Sequence, residues 1–313
     1  SGLFYGSAGA IQAAGPSVLL VYLLGGAVVY FMLRALGEMS VRNPVRGSFA
    51  VYCRKYLGGW GGYITGWMFA FEMMIVCLAD LTAIGIYMKF WFPDTAAWVW
   101  IAVTLLIIGA ANLATVRWFG ELEFAFTIIK VTAVVTMIIG GAAILVFNLG
   151  QQPEVAQMSN LWNDGGFFPN GSAGMLFSLV AVIFSFGGIM SIGTAAGEAQ
   201  DPSKSIPRAV NSVIWRILLF YLGGMSVILL LAPWDEQGSS ASPFIRVLTA
   251  VGVDGAAHLL NLVILVAVAS VCNTMTYSGS RMLRDLSRNG QAPAWLSATT
   301  KKGLPLRALL FDA

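Results

Sequence analysis

The sequence predicts an all-α membrane protein with several spans, and three observations lead to this fold class. The chain is 58% hydrophobic and 11% charged, with a mean hydropathy of +0.77, whereas soluble domains carry about 25% charged residues. Its apolar residues fall into runs long enough to cross a bilayer, which takes about 20 residues of helix. Its basic residues alternate between the connections of those runs. The composition therefore excludes a soluble globular domain.

Hydropathy in a window of about 19 residues locates the spans. It predicts a half-span at about 1–15 and a truncated span from about 304. The full spans lie near 17–36, 60–92, 97–116, 124–148, 174–196, 211–232 and 256–280. The sequence starts at Ser1 and stops within an apolar run, so we expect it to be part of a longer protein.

The Lys and Arg residues distinguish the two sides of the membrane. Most of the 18 lie in alternate connections, and these are Arg34, Arg42, Arg46, Arg54, Lys55, Arg117, Lys204, Arg208, Arg281, Arg284, Arg288, Lys301 and Lys302. The opposite connections carry Lys89 and Arg246. The positive-inside rule places the basic side in the cytoplasm. The alternation supports the span count, because one missed helix would invert every later assignment.

Two adjacent glycines, Gly187 and Gly188, interrupt the span near 174–196, with the small residues Ser185 and Ser191 beside them. A glycine costs a helix about 1 kcal/mol relative to alanine, so this span unwinds readily at the pair. Unwound backbone at membrane depth is tolerated where it lines a cavity or a solute site. Close packing of helices through small residues is the alternative interpretation.

The first ten residues repeat this composition, with glycines and small residues beside aromatic ones. The two glycine-interrupted segments are the first and the sixth in the chain, and this odd offset means that they cross the membrane in opposite directions. Such a pair is typical of transporters built from inverted repeats. We therefore expect the two segments to form a solute site near the midplane of the membrane.

Three charged residues, Glu72, Asp80 and Lys130, lie well inside predicted spans and away from their ends. Glu72 and Asp80 are roughly 12 Å apart along one helix, and Asp80 is expected nearer the solvated outer surface. Glu72 is therefore the better candidate for a proton-binding or substrate-facing role. Lys130 has two open interpretations. Its stem can extend to the cytoplasmic interface, or its amine faces the helix bundle and exchanges a proton.

Two connections carry charged residues with structural interpretations. The segment from Arg34 to Phe49 is rich in charge and turn residues, and we expect a solvated loop there rather than a gate. Glu121 and Glu123 are expected to cap the helix that follows, because carboxylates are favoured at a helix N-terminus.

The sequence shows no catalytic constellation. Cys53, Cys77 and Cys272 have no paired spacing, so they predict neither a disulfide framework nor a metal site. The only histidine, His258, lies at the outer end of a span. We expect no enzyme activity, no cofactor, no metal and no nucleic-acid partner.

Short motifs are dispersed along the whole chain. They include Ser1-Gly2-Leu3-Phe4, Arg34-Ala35-Leu36-Gly37-Glu38-Met39, Phe119-Gly120-Glu121-Leu122-Glu123-Phe124, Gly197-Glu198-Ala199 and Ile206-Pro207-Arg208-Ala209. Together they resemble bacterial amino acid permeases of the amino acid/polyamine/organocation superfamily. The stretch from Gly66 to Pro93 looks most like the proline and histidine permease branch.

This resemblance implies a LeuT-like fold of two inverted five-helix repeats, in which helices 1 and 6 are broken. Of about twelve spans in such a permease, this chain would hold about eight. The chain would form one transporter domain over 1–313, incomplete at both ends. The first repeat would cover about 1–148, and part of the second about 174–313.

The resemblance also implies a substrate site between the two broken helices. Backbone amides of the first broken helix would hold the substrate carboxylate, and these belong to Ser1, Gly2 and Leu3. Carbonyls of the sixth helix would meet the substrate amine, and these belong to Ser185, Phe186 and Gly187, beside Gly188. The side chain of Phe184 or Phe186 would close over the solute.

Two further positions bear on coupling and specificity. Lys130 matches a lysine that stands where sodium binds in ion-coupled relatives, which favours its bundle-facing interpretation. Close relatives usually carry a glutamate at the position of Met190, so this chain departs from the family pattern beside the glycine pair. Glu72 is then the substitute acid.

The expected function is uptake of an amino acid by alternating access in the bacterial inner membrane, coupled to H+. A proline-like solute, histidine or another neutral amino acid is the expected substrate, and the lipid bilayer is the expected surrounding. A non-transporting amino acid sensor and a sodium-coupled or exchange transporter are the alternatives.

Overall fold

The computed structural model describes residues 7–43, 48–113, 116–147, 156–187, 202–235, 255–300 and 304–312. Every regular element in these ranges is helical. The α-helices in chain order are α1 Ser7–Ala14, α2 Val18–Arg42, α3 Ser48–Leu57, α4 Gly59–Met88, α5 Ala97–Leu113, α6 Val116–Phe147, α7 Gly171–Phe186, α8 Pro202–Arg216, α9 Gly224–Leu231, α10 Ala256–Arg288 and α11 Leu306–Asp312. A π-helical segment, Ile217–Gly223, joins α8 to α9. Short 3₁₀ turns lie at Gly15–Ser17, Met158–Leu161 and Ala294–Ser297.

The helices confirm a chain with several membrane spans. Five helical stretches among the described residues are long and apolar enough to cross a membrane, namely Ser7–Arg42, Gly59–Met88, Glu123–Phe147, Pro207–Leu231 and His258–Arg288. The apolar helices α5 and α7 are shorter.

The surface of these helices is itself apolar. Large side chains such as Phe31, Met68, Leu106 and Val146 are exposed by 67%, 68%, 74% and 73%. In water so much exposed apolar surface would promote association. Hydrocarbon removes that penalty, and the helices satisfy their backbone hydrogen bonds internally.

The expected solvated loop from Arg34 to Phe49 was wrong at both ends, since α2 extends to Arg42 and α3, Ser48–Leu57, begins within it. This helix buries Ala50 and Tyr52, and Phe49 meets Phe69 of α4 edge to face with ring centroids 4.8 Å apart. The apolar face of α3 is short, and the charged residues in and around this helix made the segment resemble a loop in the sequence.

The expectation that Glu121 and Glu123 cap a helix was also wrong. Helix α6 begins at Val116 and has no acidic residue in its first turn. Glu123 lies two turns further along, and one of its carboxylate oxygens accepts a hydrogen bond from Ser270 Oγ. Its contact is therefore with another helix and not with the N-terminus of its own.

The chain divides into two compact units. The first unit comprises the described residues within 1–31, 128–187 and 211–266, and the second those within 32–127, 202–210 and 267–312. Each unit combines segments from both predicted repeats, and the repeats themselves stay a prediction.

In the first unit, α1 packs closely on α7. Gly174 of α7 lies so near the Ala13 carbonyl that a Cβ atom at this position would overlap it. The Asn170 amide donates to the carbonyls of Gln12 and Ala13 at 3.1 and 3.0 Å. It thereby satisfies acceptors that the end of α1 leaves open.

In the second unit, Gln291 joins three helical segments. Its side chain accepts from Arg54 Nη2 of α3 at 3.2 Å and donates to the carbonyl of Gly59 at 2.9 Å. Its own carbonyl accepts from Trp67 Nε1 of α4 at 2.9 Å. These bonds hold α3 and the start of α4 against the turn that follows α10.

Candidate solute-binding site

Part of the predicted solute site lies outside the described residues. This applies to Ser1, Gly2, Leu3, Gly188 and Met190. The described part comprises Phe184, Ser185, Phe186 and Gly187 at the end of α7, all in the first unit.

The last turn of α7 is tighter than the rest of the helix. The N–H of Gly187 bonds to the carbonyl of Phe184, three residues back instead of four. A 3₁₀-type turn is common where an α-helix ends. The last carbonyls of a helix have no donor within the helix and are satisfied by other groups.

One of these carbonyls is bonded to a tyrosine of the π-helical segment. Tyr221 donates its hydroxyl to the Ser185 carbonyl at 3.0 Å. The Ser185 side chain donates to the carbonyl of Ala181 at 3.0 Å, and its Oγ lies 3.4 Å from the hydroxyl of Tyr22. Both polar groups of Ser185 are thus bonded within the first unit.

The rings of Tyr22, Phe186 and Tyr221 form an aromatic cluster around this helix end. The centroid of the Phe186 ring lies 6.0 Å from that of Tyr22 and 4.7 Å from that of Tyr221. The two tyrosine centroids are 5.7 Å apart. Offset and edge-to-face pairs of this kind are each worth about 0.5 to 1.5 kcal/mol beyond their buried area.

The cluster separates the two phenylalanines predicted to close over the solute. Phe186 is 2% exposed and is packed among the tyrosines, whereas Phe184 is half-buried. Phe186 is therefore packed at the helix end, and the closing role of either ring stays a prediction.

Two glycines of α2 allow these elements to meet. A Cβ atom at Gly25 would lie 3.3 Å from Val182 of α7, and one at Gly26 would lie 2.6 Å from Ile217 of the π-helical segment. Small residues let membrane helices approach closely. The wide turns of a π-helix occur often at functional sites, and here they carry Tyr221.

Sequence reasoning missed Tyr22 and Tyr221. A signal was present, because Tyr221 precedes another glycine pair within an apolar run, Gly223-Gly224. This pattern alone was insufficient, since hydropathy does not predict which backbone carbonyl a tyrosine hydroxyl will bond.

Lys130 lies on α6 in the first unit and is half-buried. It takes part in an interaction with other residues and is not an isolated charge.

Glu72 lies in the second unit and lines a cavity of about 800 Å³. Residues from α2, α3 and α4 form its walls, including Met32, Phe49, Met68 and Phe69. The described residues provide neither a salt bridge nor a side-chain hydrogen bond to the Glu72 carboxylate.

The expectation that Asp80 is solvated was wrong, whereas the depth of Glu72 in the membrane stays a prediction. Asp80 is fully buried and interacts with other residues, whereas Glu72 is exposed to the cavity. A separation of eight helical positions turns the side chain by about 80°. The two acids therefore face different surroundings, and distance along the helix did not predict burial.

No group of three His, Cys, Asp or Glu side chains suited to a metal ion occurs among the residues that the structure describes. Cys77 and Cys272 are buried, and the Cys272 thiol donates to the Cys77 carbonyl at 3.7 Å. They act as packing residues between α4 and α10.

The apolar helices belong to a multi-pass membrane protein, and comparisons with known proteins identify its family. The sequence profile of the family described as "Amino acid permease" matches residues 1–312. This chain belongs to that family.

Several relatives are similar along nearly the whole chain. The uncharacterized amino acid permease YtnA of Bacillus subtilis (strain 168) is 46% identical over 312 residues, which cover 100% of this chain and 67% of that protein. The probable threonine/serine transporter YbxG of the same organism is 44% identical, with 97% and 66% covered. The aromatic amino acid transport protein AroP of Escherichia coli (strain K12) is 44% identical, with 100% and 68% covered.

The chain thus spans about two thirds of the length of these relatives. Their names describe permeases and transporters, so the chain belongs to a transporter family and not to an enzyme family.

Proposed function

We propose that the protein takes up an amino acid across the bacterial inner membrane by alternating access, with its basic connections in the cytoplasm. The observation that carries the proposal is the end of α7, where the helix tightens at Gly187 and the Ser185 carbonyl accepts a hydrogen bond from Tyr221. Carbonyls at such an end attract an ammonium group, because the C-terminus of a helix favours cations. Membership of the amino acid permease family supports an amino acid as the solute.

The substrate proposed from the sequence is a proline-like solute, histidine or another neutral amino acid. The relatives' names point to further candidates, because one is a probable threonine/serine transporter and another transports aromatic amino acids. An uptake panel therefore contains proline, histidine, threonine, serine and the aromatic amino acids.

We propose that H+ drives uptake and that Lys130 or Glu72 carries the coupling proton. Support for Lys130 comes from its half-buried position on an apolar helix of the first unit. Support for Glu72 comes from its position on the wall of an apolar cavity, since ionisable residues in spans are functional candidates.

The test is uptake of each labelled amino acid of the panel by the full-length protein in proteoliposomes, with and without an inward H+ gradient. We expect uptake of at least one amino acid, and uptake that falls at least several-fold when the gradient is removed. Lys130→Met and Glu72→Gln variants identify the carrier, which is the one whose replacement removes the response to the gradient.

Each other outcome rejects a defined part of the proposal. Binding without uptake by well-folded protein indicates a sensor. Uptake that follows a Na+ gradient or depends on internal amino acid indicates a sodium-coupled or exchange transporter. A Met190→Glu variant with an unchanged substrate range would show that this position does not set specificity.

A further inference from the structure

The end of α7 has a donor that does not come from its own helix. In a continuing α-helix, the carbonyl of Ser185 would accept the N–H four residues later. In this structure the hydroxyl of Tyr221 donates to that carbonyl at 3.0 Å. The phenol therefore satisfies an acceptor at the very position where the predicted unwinding begins.

The position of Tyr221 is tightly determined. Its ring packs against those of Tyr22 and Phe186, with centroids 5.7 and 4.7 Å away. Tyr22 is fully buried and Phe186 is 2% exposed. The close contact of Gly26 with Ile217 also holds the π-helical segment against α2. A hydroxyl on such a ring has little freedom, so it fixes the direction of the carbonyl that it bonds.

A carbonyl oxygen has two lone pairs and can accept a second hydrogen bond. Tyr221 occupies one of them. A preset direction of the carbonyl removes part of the ordering cost of binding a cation.

We propose that Tyr221 is a positioning residue of the solute site, which holds the Ser185 carbonyl in place for the ammonium group of the substrate. The proposal rests on the proposed function, because it takes an amino acid as the ligand. The sequence analysis predicted no positioning residue for this carbonyl, and the proposal gives that role to Tyr221 of the π-helical segment.

The first arm of the test separates positioning from a general structural role. Each amino acid of the panel is paired with its des-amino acid, for example L-phenylalanine with 3-phenylpropanoate. The affinity of both compounds is measured by competition for binding to the full-length protein. We expect Tyr221→Phe to weaken binding of the amino acid by roughly 2- to 13-fold, the range of one hydrogen bond. Binding of the des-amino acid, which lacks the ammonium group, is expected to stay unchanged.

Tyr22→Phe is the matched control, since it removes a hydroxyl from the same cluster. That hydroxyl lies 3.4 Å from the Ser185 side chain and does not bond the Ser185 carbonyl. We expect it to change the binding of both ligands by the same factor. Equal effects of Tyr221→Phe on both ligands, or tighter binding of the amino acid, overturn the proposal.

The second arm needs no substrate and measures amide hydrogen exchange at the end of α7. In Tyr221→Phe, the amide exchange rates of Phe186 and Gly187 are expected to rise roughly 2- to 13-fold. The rise in Tyr22→Phe is expected to be smaller. Unchanged exchange in Tyr221→Phe overturns the role of the hydroxyl at the helix end. If the wild type binds no amino acid, the proposed function fails, and this arm alone decides the role of Tyr221.

Discussion

In the first unit, the hydroxyl of Tyr221 bonds to a backbone carbonyl where α7 ends. In the second unit, Asn112 of α5 donates its side-chain amide to the side chain of Asn273 of α10 at 2.8 Å. Both bonds lie within apolar surroundings. The first satisfies the end of a helix, whereas the second links one helix to another.

The difference teaches how this chain uses its few polar residues. A bond to a helix end leaves the backbone beyond it free to bind a ligand, which suits a solute site. A bond between side chains of two helices fixes their separation, which suits a rigid support. The following variants test these two uses, from the largest expected effect to the smallest.

The largest effect is expected for Gly174→Ala in the first unit. The new methyl group would overlap the Ala13 carbonyl and the side chain of Asn170. Overpacking of this kind costs about 1 to 3 kcal/mol, and more where backbone must move. We therefore expect a fall of about 3 kcal/mol in stability, measured as a lower Tm of the full-length protein in detergent.

Gly9→Ala is the control for that variant, because no atom lies within 4 Å of a Cβ at Gly9. Alanine favours a helix by up to about 1 kcal/mol over glycine, so this Tm is expected to stay or rise. Equal losses in both variants would contradict a role for the close contact between α1 and α7.

A smaller effect is expected for Asn112→Leu in the second unit. The change leaves the buried Asn273 carbonyl oxygen without its Asn112 donor. An unsatisfied buried polar group costs about 1 to 3 kcal/mol, and Tm is expected to fall accordingly. The double variant Asn112→Leu/Asn273→Leu is expected to recover most of the loss, since it removes both partners. Additive losses in the double variant would show that the pair does not act as one unit.

The smallest effect is expected for Glu38→Gln. Its carboxylate lies 3.5 Å from Arg34 Nε one turn away, with 63% and 57% of the two side chains exposed. Exposed pairs of this spacing contribute about 0.2 to 0.5 kcal/mol, and salt screens them. We expect a Tm change within experimental error. A loss as large as that of Asn112→Leu would mean that this pair supports more than its own helix.

Much of the fold was predictable from the sequence because membrane helices are long and uniform in composition. The predicted span near 60–92 corresponds to Gly59–Met88, and the one near 256–280 lies within Ala256–Arg288. The break at Pro16 corresponds to the 3₁₀ turn Gly15–Ser17. Hydropathy predicts such boundaries, since the bilayer sets a minimum length.

The errors came from contacts between elements. Helix α3 was missed because its short apolar face is concealed among charges, and Glu123 was assigned to a cap although it bonds to Ser270. Asp80 and Glu72 were ranked by distance along the helix, whereas their burial depends on which neighbours each one faces.

The sequence by itself determined that this protein is helical, crosses a membrane several times and resembles amino acid permeases. It also predicted a helix boundary beside Gly187, which follows the last residue of α7, because glycine lowers the cost of ending a helix. Only the tertiary structure decided that Tyr221 bonds to the Ser185 carbonyl and that Phe186 is packed while Phe184 is half-buried. Those facts depend on contacts between segments that are far apart in the chain. Periodicity and composition describe local structure and do not predict such contacts.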